Sequence, residues 1–251
     1  MKAAFQMTTR RPVTLGVLIL LMGVGSMNSV LAEIEPAARA LAASVTSKLA
    51  AAQTIKLTAQ HKLDPALGVG GRLDAGPLEI TVKRPNRFYV IQEADDQTRE
   101  LAFDGKVFCL MHPNQKHHAM ENVRADSIDA LADRIDEKFG FRPPVAELLS
   151  ADLSKQLFLH VTSATVAGTE WVGWTRCERL HFEQDGMTGD LWLGKKDGLP
   201  RRYRLTFTGV AGQPTWDIRL KKWELNTPVD DSLFSKRPAA DSHKVQMLKS
   251  R

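Results

Sequence analysis

The sequence predicts an α+β protein. Its centre is a strongly curved antiparallel sheet or incompletely closed β-barrel of about ten or eleven strands, covered on its concave face by an N-terminal helix and a two-helix insert. Three observations predict it. Apolar residues alternate with polar ones through two long runs of the chain, one on either side of a region with helical spacing. Short turn signals such as Asp104-Gly105 and Asp185-Gly186 separate the alternating runs, which is the chemistry of antiparallel hairpins. A sheet of so many strands accumulates twist and curls, so helices must cover the face it curls around.

The chain has 251 residues and begins as an export signal does. Lys2, Arg10 and Arg11 are followed by an apolar run from Val13 to Val24 and a small-residue exit at Val30-Leu31-Ala32, so cleavage is expected after Ala32. A membrane-anchoring helix is the alternative, but Gly16, Gly23, Gly25 and Ser26 interrupt a run shorter than the ~20 apolar residues of a span. Arg10-Arg11 also admits a twin-arginine signal, against which Pro12 follows directly. No cysteine lies near the cut to carry a lipid. Residues 33–251 are therefore expected to form a single periplasmic domain. Losing Lys2, Arg10 and Arg11 from 34 basic residues leaves 31 against 29 acidic ones, a formal charge of +2. So small an excess excludes nucleic acid as the expected partner, and Lys195-Lys196 and Arg201-Arg202 read as solvated turn and edge residues.

From Pro36 to Gln53 no breaker interrupts an alanine-rich stretch in which Leu41, Val45 and Leu49 recur every four residues, which is an amphipathic helix. Period two follows in Ile55, Leu57 and Ala59, and again in Leu78, Ile80 and Val82. The glycine-rich span Leu67 to Gly76 is the turn between them. Strands at Arg87–Glu93, Arg99–Phe103, Val107–His112 and near His118–Glu121 are divided by Asp95-Asp96, Asp104-Gly105 and Pro113-Asn114. Asp126 or Ser127 then caps a helix through Ile128, Leu131, Ile135 and Phe139, which Gly140 stops, and Pro143-Pro144 opens a second through Val145, Leu148 and Leu149. Strands resume at Leu157–Ala164, Val166–Trp174, Cys177–Gln184, Gly189–Leu193, Arg201–Thr208 and Thr215–Leu225.

Several segments resemble a known group of proteins. KRPNRFYVIQ at 83–92, LAFDGKVFCLMHPNQKHHAM at 101–120, LWLGKKDGLPRRYRLTF at 191–207 and TPVDDSLFSKRP at 227–238 occur in the order found in periplasmic lipoprotein carriers of the LolA and LolB type. The DGK strand, the insert ending near PPVAELL at 143–149, the CERLHF strand at 177–182 and the hairpin WLGKKDGLP at 192–200 resemble more closely a related, functionally uncharacterised family of predicted periplasmic bacterial proteins. The resemblance covers about residues 35 to 246. It implies an open barrel whose helices close over an apolar cavity that receives acyl chains in the lipoprotein carriers. In those carriers an arginine on the strand after the first helix helps hold the closed state, and the nearest basic residues here are Lys56 and Lys62.

The candidate ligand-cavity residues are Leu131, Ile135 and Leu148 on the insert and Trp171, Trp192 and Trp216 on the strands. The tryptophans, with Trp174 and Trp223, read either as packing of a curved sheet or as cavity lining. Cys109 and Cys177 are a disulfide candidate pair in an oxidising compartment, or two buried apolar thiols. His112, His117 and His118 would be a metal site only with a turn between the last two, and surface hairpin histidines are the plainer reading. Asp95-Asp96 and Asp230-Asp231 read as solvated turn acids. No nucleophile elbow, phosphate loop or zinc helix motif occurs, so no catalytic residue and no cofactor is expected, and the protein is not expected to be an enzyme. The expected function is a periplasmic carrier or binding protein for an apolar ligand: an acyl chain, a lipid or a lipid-modified protein. An envelope protein-interaction module with a self-filled core is the alternative, and an envelope hydrolase the third.

Overall fold

A computed structural model describes residues 32–67, 76–94, 97–141 and 145–247. The expected export signal, the centre of the glycine-rich turn, Asp95-Asp96 and Pro143-Pro144 lie outside the described residues. In chain order come β1 (Glu33–Ile34), α1 (Pro36–Ala51), β2 (Thr54–Leu63), β3 (Pro77–Lys83), β4 (Arg87–Ala94), β5 (Gln97–Phe103), β6 (Val107–His112) and β7 (His117–Asn122). After them come α2 (Ile128–Phe139), α3 (Ala146–Leu149), α4 (Leu153–Phe158), β8 (Val161–Val172), β9 (Thr175–Gln184), β10 (Met187–Gly194), β11 (Pro200–Thr206), β12 (Thr215–Leu225) and β13 (His243–Lys244).

All of the described strands belong to one curved, unclosed sheet of 13, ordered β1-β8-β9-β10-β11-β12-β2-β3-β4-β5-β6-β7-β13. The chain lays down two antiparallel meanders, β2–β7 and β8–β12, and joins them where β12 pairs with β2. The sheet is curved and stays open, as expected of a strongly curved sheet or an incompletely closed barrel, since β1 and β13 stand at opposite ends of the order. Irregular pairing between Trp192 and Leu193, Leu220 and Lys222, and at two points along β8 bends the sheet without interrupting it. The number of strands exceeds the ten or eleven expected because β1 and β13, only two residues each, pair in parallel with β8 and β7 at the edges. Two-residue strands carry no periodicity to read.

One face of the sheet is apolar. Ile55, Leu57, Leu78, Ile80, Phe88, Val90, Phe103, Leu180, Phe182, Leu191, Tyr203 and Ile218 join Ala38, Ala42, Val45 and Leu49 of α1 and Leu131, Ile135, Leu148 and Leu153 of the insert in one core. Ser127 caps α2 by accepting from the Ala130 N–H at 3.0 Å, and Gly140 ends it in the left-handed conformation at φ 72°. The insert holds a further helix, α4, where the apolar run from Leu157 suggests a strand. Asp152 accepts from the Lys155 N–H at 3.0 Å and Leu153 and Leu157 are buried one turn apart, so Leu157 and Phe158 end a helix instead.

The opposite face carries a smaller cluster: Tyr89, Ala102, Cys109, Met111 and Phe234. Here the chain after β12 folds back across β4–β7, with a short 3₁₀ turn at Asp231–Ser235 burying Phe234 completely. Its charged residues hold it down, Asp231 to Lys83 at 2.6 Å, Arg237 to Asp104 at 2.8 Å, and Lys236 to the buried Glu100 that also accepts from the Tyr89 hydroxyl at 2.7 Å.

Cys109 and Cys177 are free, which overturns the disulfide reading. Cys109 lies on β6 and Cys177 on β9, and β10, β11, β12, β2, β3, β4 and β5 stand between them. Strands repeat every ~4.8 Å, whereas a bridge needs Cα atoms within ~7 Å. Both thiols are buried, and burial pushes both up from their ordinary pKa. A thiol reagent is expected to label neither cysteine in the native protein and both after unfolding without reductant; labelling of the unfolded protein only once a reductant is added would contradict this. Phe234→Ala is expected to cost about 3–5 kcal/mol in urea unfolding, far more than a surface substitution in a loose tail would.

Candidate functional site

The helical cover is the first place where a ligand could be enclosed. Short helices cannot satisfy their own terminal carbonyls, and α1 and α3 both end close to the start of the β3–β4 turn. Arg84 fills that gap. Its Nη2 donates to the Leu49 carbonyl of α1 at 3.3 Å and to the Leu149 carbonyl of α3 at 3.0 Å, so one guanidinium ties the two helices together. Burial lowers its pKa and the Asp129 carboxylate opposes that shift. Two other polar ties hold the cover. Thr46 of α1 meets the Ser154 hydroxyl of α4 at 2.7 Å, and Asp129 of α2 accepts from the Ala151 N–H at 3.1 Å.

Beneath these ties the cover is closed. Leu131, Ile135 and Leu148 show between 0 and 1 % exposure, so no water-sized gap opens against them. They lie together in the core with Phe88, Phe103 and Phe182. Lys56 and Lys62 take no part in tying the helices. Both project from the sheet face opposite the cover, where register places Lys56 beside Thr81 and Glu224, and Lys62 beside Asp217. The resemblance implies an arginine on the strand after α1, whereas the cation that ties the helices here, Arg84, follows β3. The signal that could have found it is the Arg84-Pro85 pair, a cation at the end of an alternating strand facing two predicted helix ends.

The model of the family described as predicted periplasmic protein (DUF2092) matches residues 38–248. The chain belongs to this family. Among curated proteins there is no match. Solved structures similar to this DUF2092 chain include the lipoprotein LppX of Mycobacterium tuberculosis, with 14% identity over 78% of this chain and 98% of that one and a TM-score of 0.47. LprF from Mycobacterium bovis is similar with 10% identity over 82% of this chain and 99% of that one, at a TM-score of 0.47. The MucA/MucB complex of Pseudomonas aeruginosa contributes a chain 15% identical, matched over 83% of this chain and 63% of its own length, at a TM-score of 0.48. No helix among the described residues of the DUF2092 chain is long and apolar enough to cross a membrane.

The three candidate tryptophans are not brought together. Trp216 sits at one end of the core face, where its Nε1 donates to the His61 Nδ1 at 3.4 Å, and His61 Nε2 lies 2.9 Å from the buried Gln92 amide. Trp171 is 69% exposed near the β8–β9 hairpin tip, beside Trp174 at 99%. Trp192 is buried on the opposite face, under the Arg202 guanidinium at 4.8 Å, with its Nε1 donating to Glu170 at 2.9 Å. Of the histidines, His112 and His117 are cross-strand partners and His118 meets the Ser242 hydroxyl at 2.9 Å. Asp230 caps the Ser232 N–H at 2.9 Å and Asp231 pairs with Lys83, so that acid pair organises the returning chain.

The face opposite the cover is charged across β11, β12 and β2, where the sequence alone suggests solvated turn and edge residues only at Arg201-Arg202. Tyr203 and Leu205 point into the core, so Arg202 and Arg204 point out, and register sets Arg202 beside Arg219 and Arg204 beside Asp217. Asp217 accepts from Arg202 Nε at 3.1 Å and from Arg204 Nε at 2.8 Å. Burial alone would raise this carboxyl, but the hydrogen bonds and charges of the two arginines outweigh it and hold it below the usual carboxylate range. With a folded pKa below the unfolded one, Asp217 contributes stability above the unfolded value of about 3.9 and loses that contribution as pH falls through the folded value. Asp217→Asn is thus expected to lower stability at pH 7, and to shrink the loss of stability that the wild type suffers between about pH 5 and pH 2, in urea titrations. Parallel curves for the two proteins across that range would remove the linkage.

Proposed function

We propose that this DUF2092 protein is a non-catalytic periplasmic carrier that shields an apolar ligand beneath α2–α4, and that the arrangement described is its closed state. The ligand class is an acyl chain, a lipid or a lipid-modified protein. Arg84 carries this reading. Desolvating a guanidinium is costly, and a permanently packed helix pair would gain as much from an apolar residue. A half-buried cation shared between carbonyls of two separate helices makes a tie that is strong when made and separable as a unit. Once it parts, the cover rests on apolar contact, which the methylenes of a ligand can replace at about 0.8 kcal/mol each before the costs of association. The family's periplasmic description and the resemblance of the sequence segments at 83–92, 101–120, 191–207 and 227–238 to lipoprotein carriers agree with it.

A second reading has its own support. The core is filled by its own side chains, and Trp171 and Trp174 stand exposed on one hairpin, so the protein could work as an envelope interaction module that docks a partner there.

Native mass spectrometry of protein taken from the periplasm, combined with uptake of an apolar fluorescent dye, separates the two. The carrier reading expects a lipid-sized adduct or dye uptake by the wild type. It also expects Arg84→Leu to shift the open fraction and the uptake about tenfold or more, with Arg84→Lys between them. A wild type with no adduct and no uptake, unchanged in either variant, would leave only the interaction module standing.

A further inference from the structure

We propose that the outer face of β11, β12 and β2 is a binding site for a phosphate-type oxyanion borne on a small polar molecule or a lipid headgroup. This site is independent of the carrier reading, lying on the other side of the sheet from the helical cover.

Register builds it. Arg202, Arg219 and Gln60 form one rung across the three strands, and Arg204, Asp217 and Lys62 form the next. These residues line a depression of about 650 Å³ together with Asp64, Pro65 and Thr215. That volume falls within the ~300–1,000 Å³ of small-molecule sites. It exceeds what a bare ion needs, and every lining side chain except Pro65 is polar or charged, which suits a phosphate with a hydroxylated body.

The charges do not balance internally. Arg202, Arg204, Arg219 and Lys62 face the carboxylates of Asp217 and Asp64, and Asp64 already accepts from the Ala66 N–H at 2.9 Å. Arg202 and Arg204 each spend Nε and Nη2 on the same carboxylate, leaving Nη1 of both without a partner among the described residues. Arg202 is fixed further by stacking on Trp192. Like charges directly opposite on neighbouring strands are destabilising, yet Arg202 stands directly opposite Arg219. An oxyanion between them would turn that repulsion into attraction. Guanidinium forks match the geometry of phosphate oxygens, and two forks already aligned by Asp217 lose little freedom on binding.

The test uses the full-length mature protein, glycerol 1-phosphate as the soluble probe, and vesicles of phosphatidylglycerol against vesicles of phosphatidylcholine. Arg219 and Lys62 are both exposed, so the double variant Arg219→Gln with Lys62→Gln leaves the packing intact. Lys195→Gln with Lys196→Gln removes the same charge elsewhere as the control. We expect glycerol 1-phosphate to raise the melting temperature of the wild type and of the control, and to bind the Arg219/Lys62 variant at least about tenfold more weakly. Retention on phosphatidylglycerol vesicles with no response to the soluble probe, lost in the same variant only, assigns the headgroup as the source. No response to either probe overturns the proposal, as does equal weakening in the site variant and the control, which would reduce the effect to net charge.

Discussion

An apolar sheet face cannot be left in water, and a face 13 strands wide cannot be covered by the turns of its own hairpins. The rest of the molecule follows from that constraint. Period-two strands put one apolar residue in two on the same side, curvature gathers that side inward, and α1 with the insert α2–α4 supplies the remaining surface. The insert is placed between the two meanders, so the chain reaches across the sheet once and then resumes pairing. Its helices are short, and the polar groups at their ends need partners that neighbouring elements must provide. Arg84, Thr46 and Asp129 are where those partners come from.

The two halves of the opposite face solve exposure differently. Over β4–β7 the returning chain buries Phe234 and surrounds it with ion pairs, making a second, thinner layer of core. Over β8–β12 no described segment returns, and the face carries charge around Trp192: Glu170, Arg179, His181 and Asp190 form one set of contacts and Arg202, Arg204 and Asp217 another. Largely buried ion pairs of this kind lose in desolvation much of what they gain in attraction. Their arrangement in register is therefore better understood as presentation of charge than as a means of holding the sheet.

Much of the architecture is legible in the sequence. Alternation located β2–β6 and β9–β12 to within a few residues, and Ser127 with Gly140 bracketed α2, because in each case one physical period or one cap chemistry acts locally. The misreadings share a cause. Leu157 and Phe158 are apolar in a way that suits strand or helix, and only the Asp152 cap and the packing of Leu153 decide between them. β1 and β13 exist through their partners alone. The separation of Cys109 from Cys177 depends on strand order, which no local pattern encodes, and so do the Arg84 tie and the meeting of Arg202, Asp217 and Lys62. The residues of the candidate sites were visible as charges, and their convergence was not.

The seam between β12 and β2 has a consequence for how the molecule is made. Within each meander every strand meets the one just synthesised, whereas at the seam Ile55 meets Leu225 and Leu63 meets Trp216. Such pairing is of high contact order, and its loop-closure entropy must be met before its contacts return anything. β2 therefore waits, with one edge unsatisfied, until nearly the whole chain has emerged. A protein crossing a membrane as an extended polypeptide would keep that edge of β2 open throughout its passage, a ready template for wrong pairing until β12 arrives.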